Sequence, residues 1–467
     1  MRATEAAAGR LLPRREDLRA MLRLATPVVL IQVGMMLMGV VDTIMVGHLS
    51  AVALAAVALG NLYFFGLGVF GMGTLMVLDP VVAQAVGARD DPAVARGIQR
   101  GILLALILGV PATLLLLPAE PFMTLARQPP DVVPYAAAYA LRLAPGVLPF
   151  FLFIVLRQSL QSMHLTAPIM ITIVVANLAN AGLNWMLIFG HLGAPALGVA
   201  GSAWATTLSR WIMLSLVLAL TWRGLRPHLL PLRPEIWQWP PLARMLRLGV
   251  PIGCQYTLEF GAFAFVALMM GWLGTREMAG HQVAINLASL TFMVPLGVAD
   301  AASILVGHAV GRGDLPGTRG ASRAALLCGV GFMSCTMVAF LTLPGPLARL
   351  YTDERSVLTV AMALIPLAGV FQVFDGTQTV AGGILRGLGE TKVAMLVNLV
   401  GYWFFGLPVS YLLGFGAGLG PAGLWYGLVL GLAAVATTLL VRVRLALARE
   451  RRRVLIDHPT LQPALDS

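Results

Sequence analysis

Five acidic residues lie inside long apolar runs of the sequence, where an ionised side chain is unusual: Asp42, Asp79, Glu259, Asp300 and Asp375. In the stretch GVVDTIMV, the aspartate is the single charged residue of the run 24–46. A carboxylate at the centre of a membrane helix costs roughly 2.5 to 3.5 kcal/mol on insertion scales, so each one is expected to face protein or water. A carboxyl group in such a place can take up and release a proton or bind a cation.

Asparagines accompany the first of these carboxylates. Asn177, Asn180 and Asn184 recur at i, i+3 and i+7 in one apolar run, so a helix places all three on one face. Such a face either joins Asp42 in a functional site or links helices by hydrogen bonds, which polar side chains commonly do in membranes. We favour the functional interpretation for Asp42 and keep both interpretations for the asparagines.

The remaining four carboxylates divide by their depth in the apolar runs. Glu259 and Asp375 each lie about halfway along a run, too far from either end to reach the lipid headgroups, and we predict that they are functional. Asp79 and Asp300 lie toward the end of their runs, where pairing with an arginine or a helix end would suffice. We predict mainly structural roles for these two.

The composition places the elements that hold these residues in a membrane. The chain has 467 residues, of which 58% are hydrophobic and 11% charged, so it is too apolar for a soluble globular protein. Twelve apolar runs are long enough to cross the hydrocarbon core, which takes about 20 residues per helix. They are 24–46, 52–78, 98–118, 134–157, 168–190, 198–221, 247–271, 278–306, 321–344, 358–385, 393–414 and 420–441. We predict an all-α polytopic membrane protein.

Basic residues predict the orientation of these helices. With an N-terminus in the cytoplasm, 26 Arg and Lys residues fall on the cytoplasmic side, in the N-terminal segment, the loops, the central linker and the tail. The opposite side receives Arg127, Arg276, Arg349 and Arg355. This asymmetry indicates that both termini are cytoplasmic, in a bacterial inner membrane. It also accounts for the net charge of +11 without a nucleic-acid partner.

An internal repeat divides the chain into two halves. AQAVGARDD around Gln84 recurs as HAVGRGD from His308, an offset of 224 residues, and Thr26-Pro27 recurs as Val250-Pro251 at the same offset. We predict two pseudo-symmetric six-helix bundles, with 1–221 as the first lobe, 222–246 as a cytoplasmic linker, 247–446 as the second lobe and 447–467 as a basic cytoplasmic tail. Two related bundles around a central cavity would suit transport by alternating access.

Several of these segments together resemble one transporter family. They are VVDTIMVGHLSAVALAAVALGN, PVVAQAVGA, AGHQVAIN, MVPLGVADAASILVGHAVG, FQVFDGTQTVAGGILRGLGETK and GYWFFGLPVSYLL. In this order they resemble the multidrug and toxic compound extrusion (MATE) family, in its NorM-like bacterial branch, over about residues 20–445. The resemblance implies a twelve-helix antiporter that exports organic cations against an inward flow of protons or sodium ions.

The resemblance also implies site residues. Asp42 matches the family's N-lobe carboxylate, with Asn180, Asn184 and Thr206 at the surrounding polar positions, and Glu259 and Asp375 match the C-lobe acidic positions. Asn184 stands where some relatives carry a second aspartate, so a site with two carboxylates is not expected there. A sodium ion, if one is used, would bind at Asp42 or at Glu259 and Asp375. No cofactor or resident metal is expected.

For the cargo we predict small organic cations, held by aromatic and methionine side chains of the cavity. The candidate wall residues are Met35, Met36, Phe260, Phe263 and Met269, a spacing that ordinary helix packing also produces. Binding of a proton or sodium ion at the carboxylates would release the cargo outward. Because one chain holds both halves, a monomer is sufficient.

The main alternative is a flippase for a lipid-linked saccharide, which shares the two-bundle design. A site for a pyrophosphate headgroup should be rich in basic residues, yet only Arg142 and Arg210 lie within the predicted spans away from their cytoplasmic ends, against five carboxylates. An ion channel would need a continuous polar pore, which the scattered carboxylates do not suggest. The sequence contains no GxxxxGK[ST] phosphate loop, and Cys254, Cys328 and Cys335 show no metal-site spacing. We therefore predict no enzymatic activity.

Overall fold

The computed structural model describes residues 12–449 and 453–457, and predictions that fall on the remaining residues lie outside it. Twelve helices within the described residues are long and apolar enough to span a membrane, which confirms the predicted number. They are α1 Arg15–Gly47, α2 Ala51–Gly87, α3 Asp91–Leu116, α4 Val133–Ser162, α5 Ala167–Phe189, α6 Val199–Leu229, α7 Trp239–Leu273, α8 Thr275–Gly311, α9 Leu315–Thr342, α10 Arg355–Gly387, α11 Lys392–Gly416 and α12 Gly420–Ala448. Short helices Ala119–Leu125 and Pro344–Arg349 precede α4 and α10.

Matching residues of the repeat begin matching helices. Asp90 and Asp314, 224 residues apart, cap α3 and α9: their side chains accept hydrogen bonds from the backbone N–H of Ala93 at 3.0 Å and of Gly317 at 2.9 Å. Both helices have proline within their first two positions, where its missing N–H is not needed. Local capping chemistry is therefore duplicated together with the helices.

Several helices are longer than the apolar runs that predicted them. Helix α1 begins at Arg15, and Glu16 and Asp17 lie in its first turn, where negative charge favours a helix N-terminus. Helix α6 continues to Leu229 and α7 begins at Trp239, so helices occupy most of the segment 222–246. The chain between them contains a cis bond from Leu230 to Pro231 and a short 3-10 turn at Pro234–Trp237.

Helix α11 contains two π-helical segments. It is α-helical at Lys392–Asn398, π-helical at Leu399–Gly406, α-helical at Leu407–Tyr411 and π-helical again at Leu412–Gly416. At the end of the first π segment, the N–H of Leu407 donates to the carbonyl of Tyr402, five residues back. The next residue, Pro408, has no N–H to donate to the preceding turn. Segments of this kind are frequent at functional sites.

The described chain divides into two compact units. The first contains 30–253 and residues 456–457, and the second contains 12–29 and 254–449 with 453–455. The divisions in α1 and α7 fall after Val29 and after Gly253, which are equivalent in the repeat. Each unit has its own hydrophobic core, around Phe153 and Ile173 in the first and around Phe371 and Trp425 in the second. The predicted lobe and linker limits stay predictions.

A buried arginine of the first unit pairs with a residue near the end of the chain. Arg100 of α3 is 1% exposed, and its guanidinium contacts the carboxylate of Asp457 at 2.7 Å and donates to the carbonyl of Glu235 at 2.9 Å. Arg96, one turn earlier, contacts the same carboxylate at 2.7 Å. Partial burial alone would raise the pKa of Asp457, but the hydrogen bonds and charges of Arg100 and Arg96 outweigh it and hold that pKa below its ordinary value.

We expect Asp457→Asn to lower the free energy of unfolding by about 1 to 2 kcal/mol. Removing one partner of a fully buried pair costs roughly 3 to 5 kcal/mol, and solvent screening reduces this because the Asp457 side chain is 25% exposed. Since the pKa of Asp457 is lowered on folding, its contribution is present above the ordinary carboxyl pKa and is lost as pH falls through the lowered value.

The measurement is thermal unfolding of the purified protein in detergent as a function of pH, with Asp131→Asn at an exposed position as the control. The midpoint difference between wild type and Asp457→Asn should shrink toward zero in acid. A constant difference at every pH would contradict the ion-pair explanation.

Candidate functional site: buried carboxylates in the two units

Asp42 lies on α1 in the first unit, and α5 and α6 supply its hydrogen-bond partners. The residue is 2% exposed. Its Oδ1 accepts from Asn184 Nδ2 at 2.6 Å, and its Oδ2 accepts from Thr206 Oγ1 at 2.6 Å. Asn184 Nδ2 also donates to Asn180 Oδ1 at 3.1 Å. The structure thus brings together the four residues predicted at this site, while their role in ion coupling stays a prediction.

The asparagine stripe of α5 divides into two parts. Asn180 and Asn184 are fully buried, one turn apart, and belong to the Asp42 cluster. Asn177 instead donates to the carbonyl of Gly34 in α1 at 2.9 Å and to that of Ile173 at 2.8 Å. A Cβ at Gly34 would collide with Ile173, so the glycine permits this approach of the two helices. Asn177 thus links α5 to α1 by a hydrogen bond, and the functional interpretation of Asn180 and Asn184 stays a prediction.

Two further residues near Asp42 were not predicted as part of the site. Arg210 of α6 is 8% exposed and interacts electrostatically with both Asp42 and Tyr139. Its guanidinium carbon lies 4.2 Å from the ring centre of Phe64 and 4.9 Å from that of Phe150, in cation–π geometry. Thr206 and Arg210 are four residues apart on one helical face, a spacing that could have indicated the arginine. Tyr139 gave no comparable signal, since isolated aromatic residues are common in membrane helices.

The Asp42 cluster has oxygen atoms suited to a proton or a hard cation. Besides the carboxylate, Asn184 Oδ1 is buried and accepts no hydrogen bond within the described residues. Carboxylate, amide and hydroxyl oxygens are the ligands that hard cations prefer. In the described part of the chain, no group of three or more His, Cys, Asp and Glu side chains is arranged so that it could hold a metal ion. A cation here would therefore depend on amide and hydroxyl oxygens as well as on the carboxylate.

A second cluster lies in the second unit, where one amide nitrogen has three hydrogen-bond acceptors. Gln378 Nε2 of α10 donates to Glu259 Oε1 of α7 at 3.1 Å, to Asp375 Oδ1 at 3.3 Å and to the Tyr402 hydroxyl at 3.2 Å. Asp375 is 6% exposed and Glu259 is half-buried. Because both carboxylates accept from one nitrogen, they lie within a few ångströms of each other. Sequence reasoning placed Glu259 and Asp375 at mid-helix but missed Gln378 and Tyr402.

The two carboxylates predicted to be structural have different surroundings. Asp300 Oδ1 contacts Arg386 Nη2 at 3.1 Å, both side chains being buried, and Arg386 Nη1 donates to the Tyr256 hydroxyl at 3.3 Å. The sequence left an arginine or a helix end open as the partner of Asp300, and the structure shows the arginine. Asp79 is fully buried in the first turn of the helical segment Leu78–Gly87, where a carboxylate favours the helix N-terminus.

The five candidate cargo residues are spread over the two units. Met35 and Met36 are half-buried on α1, and Met35 Sδ accepts from Arg157 Nη1 at 3.8 Å. Phe260 is half-buried. The ring of Phe263 packs against two aromatic rings, with 5.9 Å between its centroid and that of Phe371 and 6.2 Å between its centroid and that of Tyr402. Met269 is fully buried in the core of the second unit. Phe263 is thus next to the second cluster, Met269 occupies a packing position, and a cargo role for these residues stays a prediction.

Comparison with known proteins identifies a family whose model matches most of the chain. The MatE family model matches residues 27–186 and 251–412. Residues 27 and 251, which begin the two matches, are 224 residues apart, the offset of the internal repeat.

Individual relatives and solved structures show the same similarity. The chain is 36% identical over 428 residues to the probable multidrug resistance protein NorM of Rhizobium meliloti (strain 1021). This alignment covers 90% of this chain and 92% of that relative. It is 35% identical over 435 residues to the multidrug resistance protein MdtK of Edwardsiella ictaluri (strain 93-146), covering 92% and 95%. Its fold is similar to the crystal structure of the eukaryotic MATE transporter AtDTX14, with a TM-score of 0.85, 22% identity, and coverage of 93% and 99%.

Proposed function

This chain belongs to the MatE family, and from that premise we propose that it is a multidrug exporter driven by an inward flow of protons or sodium ions. One observation carries the proposal. Of the five carboxylates at membrane depth, Asp300 forms an ion pair, whereas Asp42, Glu259 and Asp375 form none within the described residues. The hydrogen-bond donors to these three are neutral N–H and O–H groups, so each carboxyl group is available to bind a proton or a cation.

Organic cations are the proposed cargo for the same reason. Buried arginines would serve an anionic cargo, but each one already has partners. Arg386 contacts Asp300 and Arg100 contacts Asp457. Arg157 donates to Gln32 at 3.1 Å, and Arg210 lies over aromatic rings. The carboxylates Asp42, Glu259 and Asp375 carry the complementary charge for a cation. The relatives named above as multidrug resistance proteins support drugs as the cargo.

Coupling follows if the ion and the cargo oppose each other. A proton or sodium ion that neutralises a carboxylate removes the charge that attracts a cationic drug, so the two either compete for one site or favour different conformations. Alternating access then exchanges one for the other. We place the protein in a bacterial inner membrane with both termini in the cytoplasm, the orientation that the distribution of basic residues predicts. A monomer is sufficient, because one chain holds both halves.

The test is efflux of ethidium from proteoliposomes that contain the purified protein. A pH gradient and a sodium gradient are imposed in separate runs, with liposomes that lack protein as the control. We expect efflux that is driven by at least one gradient and abolished when that gradient is collapsed. Folded, inserted protein that responds to neither gradient would contradict ion-coupled export and would favour the lipid-linked saccharide flippase.

A further inference from the structure

Gln378 has more acceptors on one side of its amide than it can satisfy. The side chain is 1% exposed, and its Nε2 has three acceptors within 3.3 Å. An amide nitrogen carries two hydrogens, so it cannot saturate all three acceptors at once. The other atom of the amide, Oε1, is buried and has no hydrogen-bond partner within the described chain. The orientation seen here therefore serves two carboxylates and leaves the amide oxygen unused.

The charge of the two carboxylates decides which orientation of this amide is favourable. When Glu259 and Asp375 are ionised, N–H groups facing them are charge-assisted donors, which bind roughly twice as strongly as neutral ones. When both carboxyls are protonated, an N–H facing them loses its charge-assisted acceptors, and when a cation lies between them, the N–H faces a positive charge. Turning the amide by a half rotation then presents Oε1, which can accept from a protonated carboxyl and from the Tyr402 hydroxyl or coordinate the cation.

Resting on the proposed function, we propose that Gln378 sets the balance between protons and sodium ions at the Glu259–Asp375 pair, donating from its amide nitrogen to the empty site and offering its amide oxygen to a bound sodium ion. The residue acts on ion selectivity and is separate from the carboxylates that carry the charge. Its two functional atoms have opposite consequences. The N–H groups stabilise the ionised pair and so oppose protonation, and the oxygen adds a ligand that favours sodium.

The surroundings of Gln378 isolate this effect. The titratable groups that it contacts are Glu259, Asp375 and Tyr402. Helices α8, α9 and α12 pack against α10, and in the described structure their titratable groups form no hydrogen bond with Gln378. These groups include His281 and Asp300 on α8, Cys328 and Cys335 on α9 and Tyr426 on α12. A substitution at 378 therefore acts on the Glu259–Asp375 pair first.

The test measures proton binding and sodium binding directly on the full-length protein in detergent. In Gln378→Met, which keeps the length of the side chain but has neither N–H nor amide oxygen, we expect half-maximal proton binding to move up by about one pH unit, a tenfold change in proton affinity. Sodium affinity, measured at a fixed alkaline pH, should fall about tenfold because one oxygen ligand is lost. Opposite shifts for the two ions are not expected from general damage to the site.

Two further variants separate the atoms and control for burial. Gln378→Glu lacks the N–H groups, keeps an oxygen and adds a carboxyl group that itself binds protons and cations, so proton binding should move to higher pH while sodium affinity does not fall below that of wild type. Gln372→Met is the matched control, because Gln372 is a fully buried glutamine of the same helix that bonds to Thr336 at 2.9 Å rather than to the carboxylates. It should leave both ion affinities unchanged.

Each outcome has one meaning. If Gln378→Met binds both ions more weakly, or binds both as wild type does, the role of Gln378 is overturned while the proposed function stands. If the double variant Glu259→Gln and Asp375→Asn binds protons and sodium as wild type does, ion binding at this pair is overturned, and the inference with it. If Gln378→Met does not fold, an unchanged proton midpoint in Gln378→Glu overturns the inference.

Discussion

Asp42→Asn is expected to reduce gradient-driven export of ethidium about tenfold or more, with the protein still inserted and folded. Coupling free energies of about 1 to 3 kcal/mol correspond to roughly 5- to 150-fold changes in affinity. Asparagine has nearly the shape of aspartate and can still accept from Thr206 or Asn184, but it cannot be protonated and carries no charge for a cation. The measurement is the initial rate of efflux from proteoliposomes at equal protein content.

The same substitution should lower stability, and a second variant separates that effect from coupling. It leaves one buried donor of the cluster unsatisfied, a penalty of about 1 to 3 kcal/mol, and removes the negative charge that interacts with buried Arg210. In Asp42→Asn combined with Arg210→Gln both charges are absent, so thermal stability should partly recover while export stays lost. Recovery of export in the double variant would show that Asp42 serves mainly to balance the arginine.

Glu259→Gln and Asp375→Asn should each remove the ion dependence of export, and the double variant should be little worse than either single one. Both carboxylates accept from the same amide nitrogen, so they act as one unit and their effects should not add. The expected loss is again about tenfold or more in the gradient-driven rate. Export is measured with and without the driving gradient, so that coupled and passive movement are distinguished.

Asp300→Asn is the contrasting control for this pair. It also removes a membrane carboxylate from the second unit, but Asp300 is already neutralised by Arg386 at 3.1 Å. We expect it to lower the thermal midpoint and to leave ion dependence unchanged in the folded fraction. Loss of ion dependence in Asp300→Asn, or its retention in Glu259→Gln combined with Asp375→Asn, would contradict the division of the carboxylates into two classes.

The sequence was sufficient to predict the spanning helices and some of the residues of each site. Twelve apolar runs predicted twelve spanning helices because hydrophobic length is the requirement for crossing a bilayer. Asp42, Asn180 and Asn184 could be found because a polar side chain in an apolar run is conspicuous, and the family resemblance added Thr206. The position of Asp300 near the end of an apolar run indicated an arginine or a helix end as its partner, and the structure shows Arg386.

The remaining residues depend on tertiary packing that spacing does not encode. Asn177 has the same type and face as Asn180 and Asn184, yet it bonds to the backbone of Gly34 because α1 approaches α5 closely there. Tyr402 reaches Gln378 from a π-helical segment, whose register the α-helical period does not predict. Gln378 lies three residues from Asp375 on α10, a spacing that signals a shared helix face but not contact with Glu259 on α7.

The most direct test of ion and cargo exchange is the release of bound ions when an organic cation is added to the purified protein in detergent. Wild-type protein, loaded with protons or with sodium at low buffer capacity, should release ions in proportion to bound ethidium. Asp42→Asn combined with Glu259→Gln and Asp375→Asn should release none. Ethidium binding by wild type without ion release, or equal release by the triple variant, would contradict exchange at these three carboxylates.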